Sequence, residues 1–142
     1  MKSSKDVLSS ILKTTQMGQV GIRAVLKCDV NGALCTALQD QLCEYDKIED
    51  EAHALAAEKG WELEELNPAV QKMAEMITRT RLSYGYVNSK TAAMMIQGNT
   101  RGLIKGFINL NHYDKCDPKI ASLAHRLIVC EEGNIRQMQG FV

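Results

Sequence analysis

The chain has 142 residues, 45% of them apolar, which suffices for one sizeable core and leaves no room for a second independent domain. Seventeen basic residues balance seventeen acidic ones, so no overall field gathers phosphate backbones or anionic lipid, and neither nucleic acid nor a membrane surface is an expected partner. Five cysteines, Cys28, Cys35, Cys43, Cys116 and Cys130, are odd in number and form no Cys-x-x-Cys pair, which argues against a disulfide framework or zinc knuckle and for reduced, packed thiols.

Residues 1–6 lead straight into a periodic helix without an apolar h-region, and no run is long enough to span a bilayer, so a soluble, cytoplasmic protein is expected. The first helix, α1, begins near Ser3 or Ser4 and runs to about residue 29, with Leu8, Ile11, Leu12, Thr15, Gly18, Ile22, Val25 and Leu26 on one face. Beside that face, Met17, Val20, Gly21, Ala24 and Cys28 widen the apolar arc beyond what one bundle helix needs. Asn31-Gly32 marks a tight turn. The second helix, α2, covers residues 33–59, burying Leu34, Leu38, Leu42, Tyr45, Ile48, Ala52 and Leu55, and Gly60 stops it. These two helices form an antiparallel hairpin.

Both prolines follow a capping residue, Asn67-Pro68 and Asp117-Pro118, and both are helix starts. A helix over residues 68–82, α3, spans about 22 Å, enough with extended flanks to carry the chain from one end of a bundle to the other. Residues 83–89 hold a break and a new cap at Ser89. The next helix, α4, covers about 89–112 with Ala92, Ile96, Asn99, Leu103, Phe107 and Leu110 inward. The last, α5, covers 118–139 with Ile120, Leu123, Ala124, Leu127, Glu131, Asn134 and Met138 inward. The short turn between α4 and α5 makes a second antiparallel hairpin. No segment shows strand alternation.

Glu49 sits three residues before Ala52 on α2, and Glu131 three before Asn134 on α5. Each pair resembles a Glu-x-x-His metal motif with its histidine lost. On these residues, and on two hairpins joined by one crossover, the chain resembles a degenerate member of the ferritin-like superfamily, closer to small spore-coat-type four-helix bundles than to iron-storage ferritins. The resemblance implies an all-α bundle in which α1 and α4 would each offer a Glu, and α2 and α5 a Glu and a His. Folding each hairpin about its turn sets Glu49 level with about Leu12 and Glu131 level with Asn99. Only Glu49 and Glu131 match, since Ala52, Asn99 and Asn134 stand at the other positions. Two carboxylates without imidazoles do not make a di-metal centre, so no cofactor and no catalytic residue is expected, and Glu131, Asn134 and Asn99 are expected to form a buried polar cluster. The resemblance implies a structural or interaction protein, spore-associated, with other structural proteins as partners. A metal-dependent oxidase or peroxidase with an unconventional centre is the alternative, and a small-molecule sensor with a cavity beside Trp61, Met94 or Met95 a third reading.

Other residues carry weaker signals. His53 follows Glu49 by four, a spacing that could place two ligands on one zinc, although open zinc sites ordinarily use three protein ligands and a solvated flank is the blander reading. His112 ends α4, and His125 and Glu132 share the outer edge of α5. Gly98, Gly102 and Gly106 recur every four residues on α4, without the ending or the preceding strand of a phosphate-binding loop, and read as close backbone packing. The seven methionines read as gap-filling core. The broad arc of α1 and the glycine run of α4 both exceed the needs of an isolated bundle, so one of them is expected to bring two copies together as a homodimer.

Overall fold

The computed structural model describes residues 1–28, 30, 32–81 and 87–142, with side chains in the third helix as far as Met76. Five helices follow in order: α1 (Ser4–Leu26), α2 (Gly32–Lys59), α3 (Pro68–Arg81), α4 (Val87–Asn111) and α5 (Pro118–Gln139). The expected Asn31-Gly32 turn and the break after α3 fall at least partly outside the described residues. Ser89 lies inside α4 and does not cap it, because the helix starts at Val87. No strand occurs among the described residues; an isolated bridge joins Lys2 to Tyr113.

The helix ends follow from local chemistry. Ser3 accepts a hydrogen bond from the Asp6 amide at 3.1 Å while the Asp6 carboxylate accepts from the Ser3 amide at 3.3 Å, a reciprocal capping box that satisfies two free donors. That engagement holds the Asp6 carboxyl below its usual range. Asp117 caps α5 by accepting from the Lys119 and Ile120 amides, and Pro118 occupies a first-turn position that needs no N–H. At the end of α2, Gly60 adopts φ +67°, and the Trp61 amide reaches back to the Ala56 carbonyl at 2.9 Å. This closure wants glycine because its left-handed backbone crowds a Cβ.

The crossover can be followed along α1. Lys13 pairs with Glu64 at 2.8 Å, Gln16 accepts from the Leu66 amide at 2.9 Å, and Lys27 meets Glu75 at 3.5 Å. The chain therefore climbs parallel to α1 from its first half to its end, and α3 packs against α1. The far end of α4 returns to the start of α1: Asn109 donates to Ser10 at 2.8 Å and accepts from Lys2 at 2.9 Å. Hence α2 and α4 run the same way, and the hairpins are α1 with α2 and α4 with α5. The shared core draws on Leu8, Ile11, Leu12, Ile22 and Val25, on Leu34, Leu38, Ile48, Ala52 and Leu55, on Ala92 and Met95, and on Ile120, Leu123, Leu127 and Met138.

Three expectations about faces are corrected. Phe107, expected inward, is 45% exposed, while α4 buries Thr91, Ala92, Met95, Asn99, Gly102, Gly106 and Asn109. The cause is close approach: a Cβ built on Gly106 would lie 2.7 Å from Ile128 Cγ1, so glycines and amides fill the seam there and Ile104, Phe107 and Ile108 are turned out. Methionine is also less of a core residue than its number suggests. Met95 and Met138 are buried, but Met1, Met17, Met73 and Met76 are exposed. The broad arc of α1 is largely used within the chain, where Val20 and Ala24 are buried and α3 lies alongside.

Candidate functional site: a buried tyrosine and carboxyl cluster

Tyr45 on α2 is buried at the centre of the bundle, and space for its ring is made on the facing helix. A Cβ on Gly18 of α1 would stand 2.6 Å from the ring carbon that bears the hydroxyl. Glycine at this position is therefore a requirement of the tyrosine. The Tyr45 hydroxyl lies 2.8 Å from Glu131 Oε1 on α5 and 3.2 Å from Asn99 Oδ1 on α4, and it accepts from Asn134 Nδ2 at 3.3 Å. Gly102 makes room for the carboxyl, since a Cβ there would come within 3.0 to 3.2 Å of the Glu131 carboxyl atoms. One cluster thus joins α2, α4 and α5, with α1 contributing an absence of side chain.

A tyrosine carries one hydroxyl proton and so donates to one acceptor at a time. The shorter contact, to Glu131, takes it when the carboxyl is ionised, because a charged acceptor makes the stronger bond. Asn99 Oδ1 is then the alternative acceptor, and Asn99 Nδ2 is buried without a hydrogen-bond partner among the described residues. Burial pushes the Glu131 carboxyl up to about 7, partly offset by the Tyr45 hydrogen bond. Burial and then the nearby Glu131 charge hold the Tyr45 phenol well above its usual range, and burial drives the Cys130 thiol up to about 12. Tyr45 is consequently a neutral donor and Cys130 an inert thiol.

The residues expected at metal positions separate. Glu131, Asn134 and Asn99 come together as expected, and all three are buried. Glu49 is half-buried on the α1 side, where its carboxylate accepts from Gln16 Nε2 at 3.2 Å and Gln19 Nε2 at 3.3 Å. Its level on α1 is thus Gln16 to Gln19, one to two turns beyond Leu12, because side chains on α2 lean toward that helix's own start. Ala52 is sealed in the core and offers no ligand. His53 turns away from Glu49 to Glu65 of the crossover, Nε2 to Oε1 at 3.5 Å, and its half-exposed side chain lies on a solvated flank. Among the described residues, no group of three or more His, Cys, Asp and Glu side chains is placed to hold a metal ion.

Sequence reasoning placed Tyr45 on the inward face but missed it as the hub. The available signal was a tyrosine at a core position of one hairpin helix and a glycine at an inward position of the other, since a buried phenol needs both room and a partner. The two surface hollows described, of about 540 and 560 Å³, lie elsewhere. One is lined by Leu55, Pro118, Leu123 and Arg126, the other by Lys2, Lys5, Lys13 and Lys105, and neither by Trp61, Met94 or Met95. Arg126 is held across the first hollow by Glu51 at 2.6 Å and Glu44 at 3.0 Å.

Among solved structures, the chain is similar to a DUF305 fragment from Deinococcus radiodurans, with a TM-score of 0.75 and 16% identity over 96% of this chain and 93% of that one. At that identity the likeness is one of all-helical fold. No family model matches the sequence, and no curated protein does. Among the described residues, no helix is long and apolar enough to cross a membrane.

Proposed function

We propose that this chain is a non-catalytic structural or interaction protein on a ferritin-like bundle, in which hydrogen bonds between protein groups stand where relatives of that fold hold a di-metal centre. The supporting observation is the 2.8 Å contact from the Tyr45 hydroxyl to Glu131. The carboxyl that best matches a ligand position is satisfied by a phenol whose ring is locked against Gly18. The remaining donors do not fit a pair of divalent ions: Asn99 and Asn134 are neutral amides, Ala52 has no donor atom, and Glu49 is engaged by glutamines of α1. A spore-associated setting comes with the resemblance to spore-coat-type bundles. The expected homodimer is kept in this proposal on a narrower basis, since Met17 is the large exposed hydrophobic left on α1 among the described residues.

Elemental analysis of untagged protein, with absorption spectra after anaerobic iron addition, tests the reading. Iron or manganese well below one ion per chain after mild chelation, and no oxo-bridged absorption on admitting air, is the expected result. Retention of a full pair of ions would move the protein to the metal-dependent oxidase or peroxidase class.

A further inference from the structure

The packing of α4 leaves three of its larger apolar side chains on the outside. Glycines, amides and small residues fill its inner seam, while Ile104, Phe107 and Ile108 stand 54%, 45% and 45% exposed. Their spacing, three and four residues apart, puts them on one stripe of the helix. The charges carried by α4 itself have a single sign. Across α4 the ionisable residues are Lys90, Arg101 and Lys105, with no Asp or Glu. Arg101 and Lys105 flank the stripe, are exposed, and form no ion pair among the described residues.

We propose that the outer face of α4 docks an acidic amphipathic helix of another protein, its apolar side chains seated on Ile104, Phe107 and Ile108 and its carboxylates meeting Arg101 and Lys105. An apolar stripe three and four residues apart is the pattern that helix-on-helix recognition uses, and unpaired flanking cations select the sign of the partner. A second copy of α4 is the poorer occupant, because it brings cations to cations and no carboxylate. A bilayer is also poorer. Lipid-binding basic clusters need several cations without interleaved acids, and the hollow that Lys105 shares is bordered by Asp6, Glu62 and Glu64. The inference rests on reading the chain as an interaction protein and names the class of its partner; the metal analysis above is independent of it, so either can fail alone.

The test uses the full chain and fluorescence anisotropy with a labelled synthetic peptide of about 18 residues, long enough to form a helix on docking. It carries leucines along one stripe and flanking glutamates, and a matched peptide has lysines for glutamates. The acidic peptide should bind at least about tenfold more tightly than the lysine peptide. Its binding should weaken with salt, and fall by about tenfold or more in Phe107→Ser and in Ile104→Ser, each checked for native helicity by circular dichroism. Arg101→Glu with Lys105→Glu should abolish the preference between peptides. The proposal is overturned if the acidic peptide does not bind, if both peptides bind alike, or if both serine variants bind as the parent does. It is equally overturned if phosphatidylserine-containing vesicles capture the protein through these residues, or if the parent is a dimer that Phe107→Ser dissociates.

Discussion

Glu131 is buried, 2% exposed, with a hydroxyl rather than a cation as its hydrogen-bond partner, so its ionisation works against folding. Its carboxyl is raised from 4.5 in the open chain to about 7 in the fold. The folded state therefore holds a proton that the unfolded state releases, and the stability carried by this group is full below pH 4.5 and lost as pH rises through about 7, for a total of about 3 kcal/mol. Asp6, Asp114 and Asp117, whose carboxyls are lowered in the fold, add stability as pH rises to their ordinary 3.8 and so do not offset the decline at higher pH. Urea unfolding from pH 4 to 8 should show the decline in the parent and a flatter profile in Glu131→Gln; parallel profiles would contradict the burial argument. Tyr45→Phe leaves the carboxyl without its donor, should cost about 1–3 kcal/mol, and should move the decline to higher pH, because the Tyr45 hydrogen bond now holds the carboxyl down. The cluster was partly legible: Glu131, Asn134 and Asn99 share inward positions in the sequence. Tyr45 as hub was not, because its role depends on a void on another helix, and a glycine records a void without saying what fills it.

Among the helices, α5 was readable to its bounds because Asp117-Pro118 caps one end and its apolar period is regular. The face of α4 was misread for a definite reason. Hydrophobic periodicity ranks isoleucine, leucine and phenylalanine above glycine, so it assigned Phe107 to the core, whereas the α4 to α5 seam is too close for large side chains on both helices. The glycines of α4 should consequently behave differently from one another. Gly98 has open space where a Cβ would go, and Gly98→Ala should stabilise by about 0.5–1 kcal/mol through helix propensity. Gly106→Ala meets Ile128 at 2.7 Å and should destabilise by about 1–3 kcal/mol through overpacking. Thermal unfolding of the two variants decides it, and equal shifts would mean that the seam is looser than described. On α1 the same contrast holds between Gly21, with nothing within 4 Å, and Gly18 against the Tyr45 ring.

For the whole molecule, the order of two hairpins and one crossover followed from turn lengths and caps, because a short connection forces antiparallel neighbours and a long one frees the chain to cross. What the connections left open was which surfaces the chain covers for itself. The crossover helix lies along α1 and, with the rest of the chain, leaves Val20 and Ala24 buried, so Ala24→Glu would test core burial and not subunit contact. Tyr45 holds Glu131 by a hydrogen bond of 2.8 Å, and the proposed function has that bond stand in place of a metal. Anomalous diffraction from crystals soaked anaerobically in manganese tests it most directly. The expected result is an intact hydrogen bond between Tyr45 and Glu131 and no anomalous peak within ligand distance of Glu131; paired peaks beside Glu131, with the Tyr45 ring displaced, would contradict the proposal.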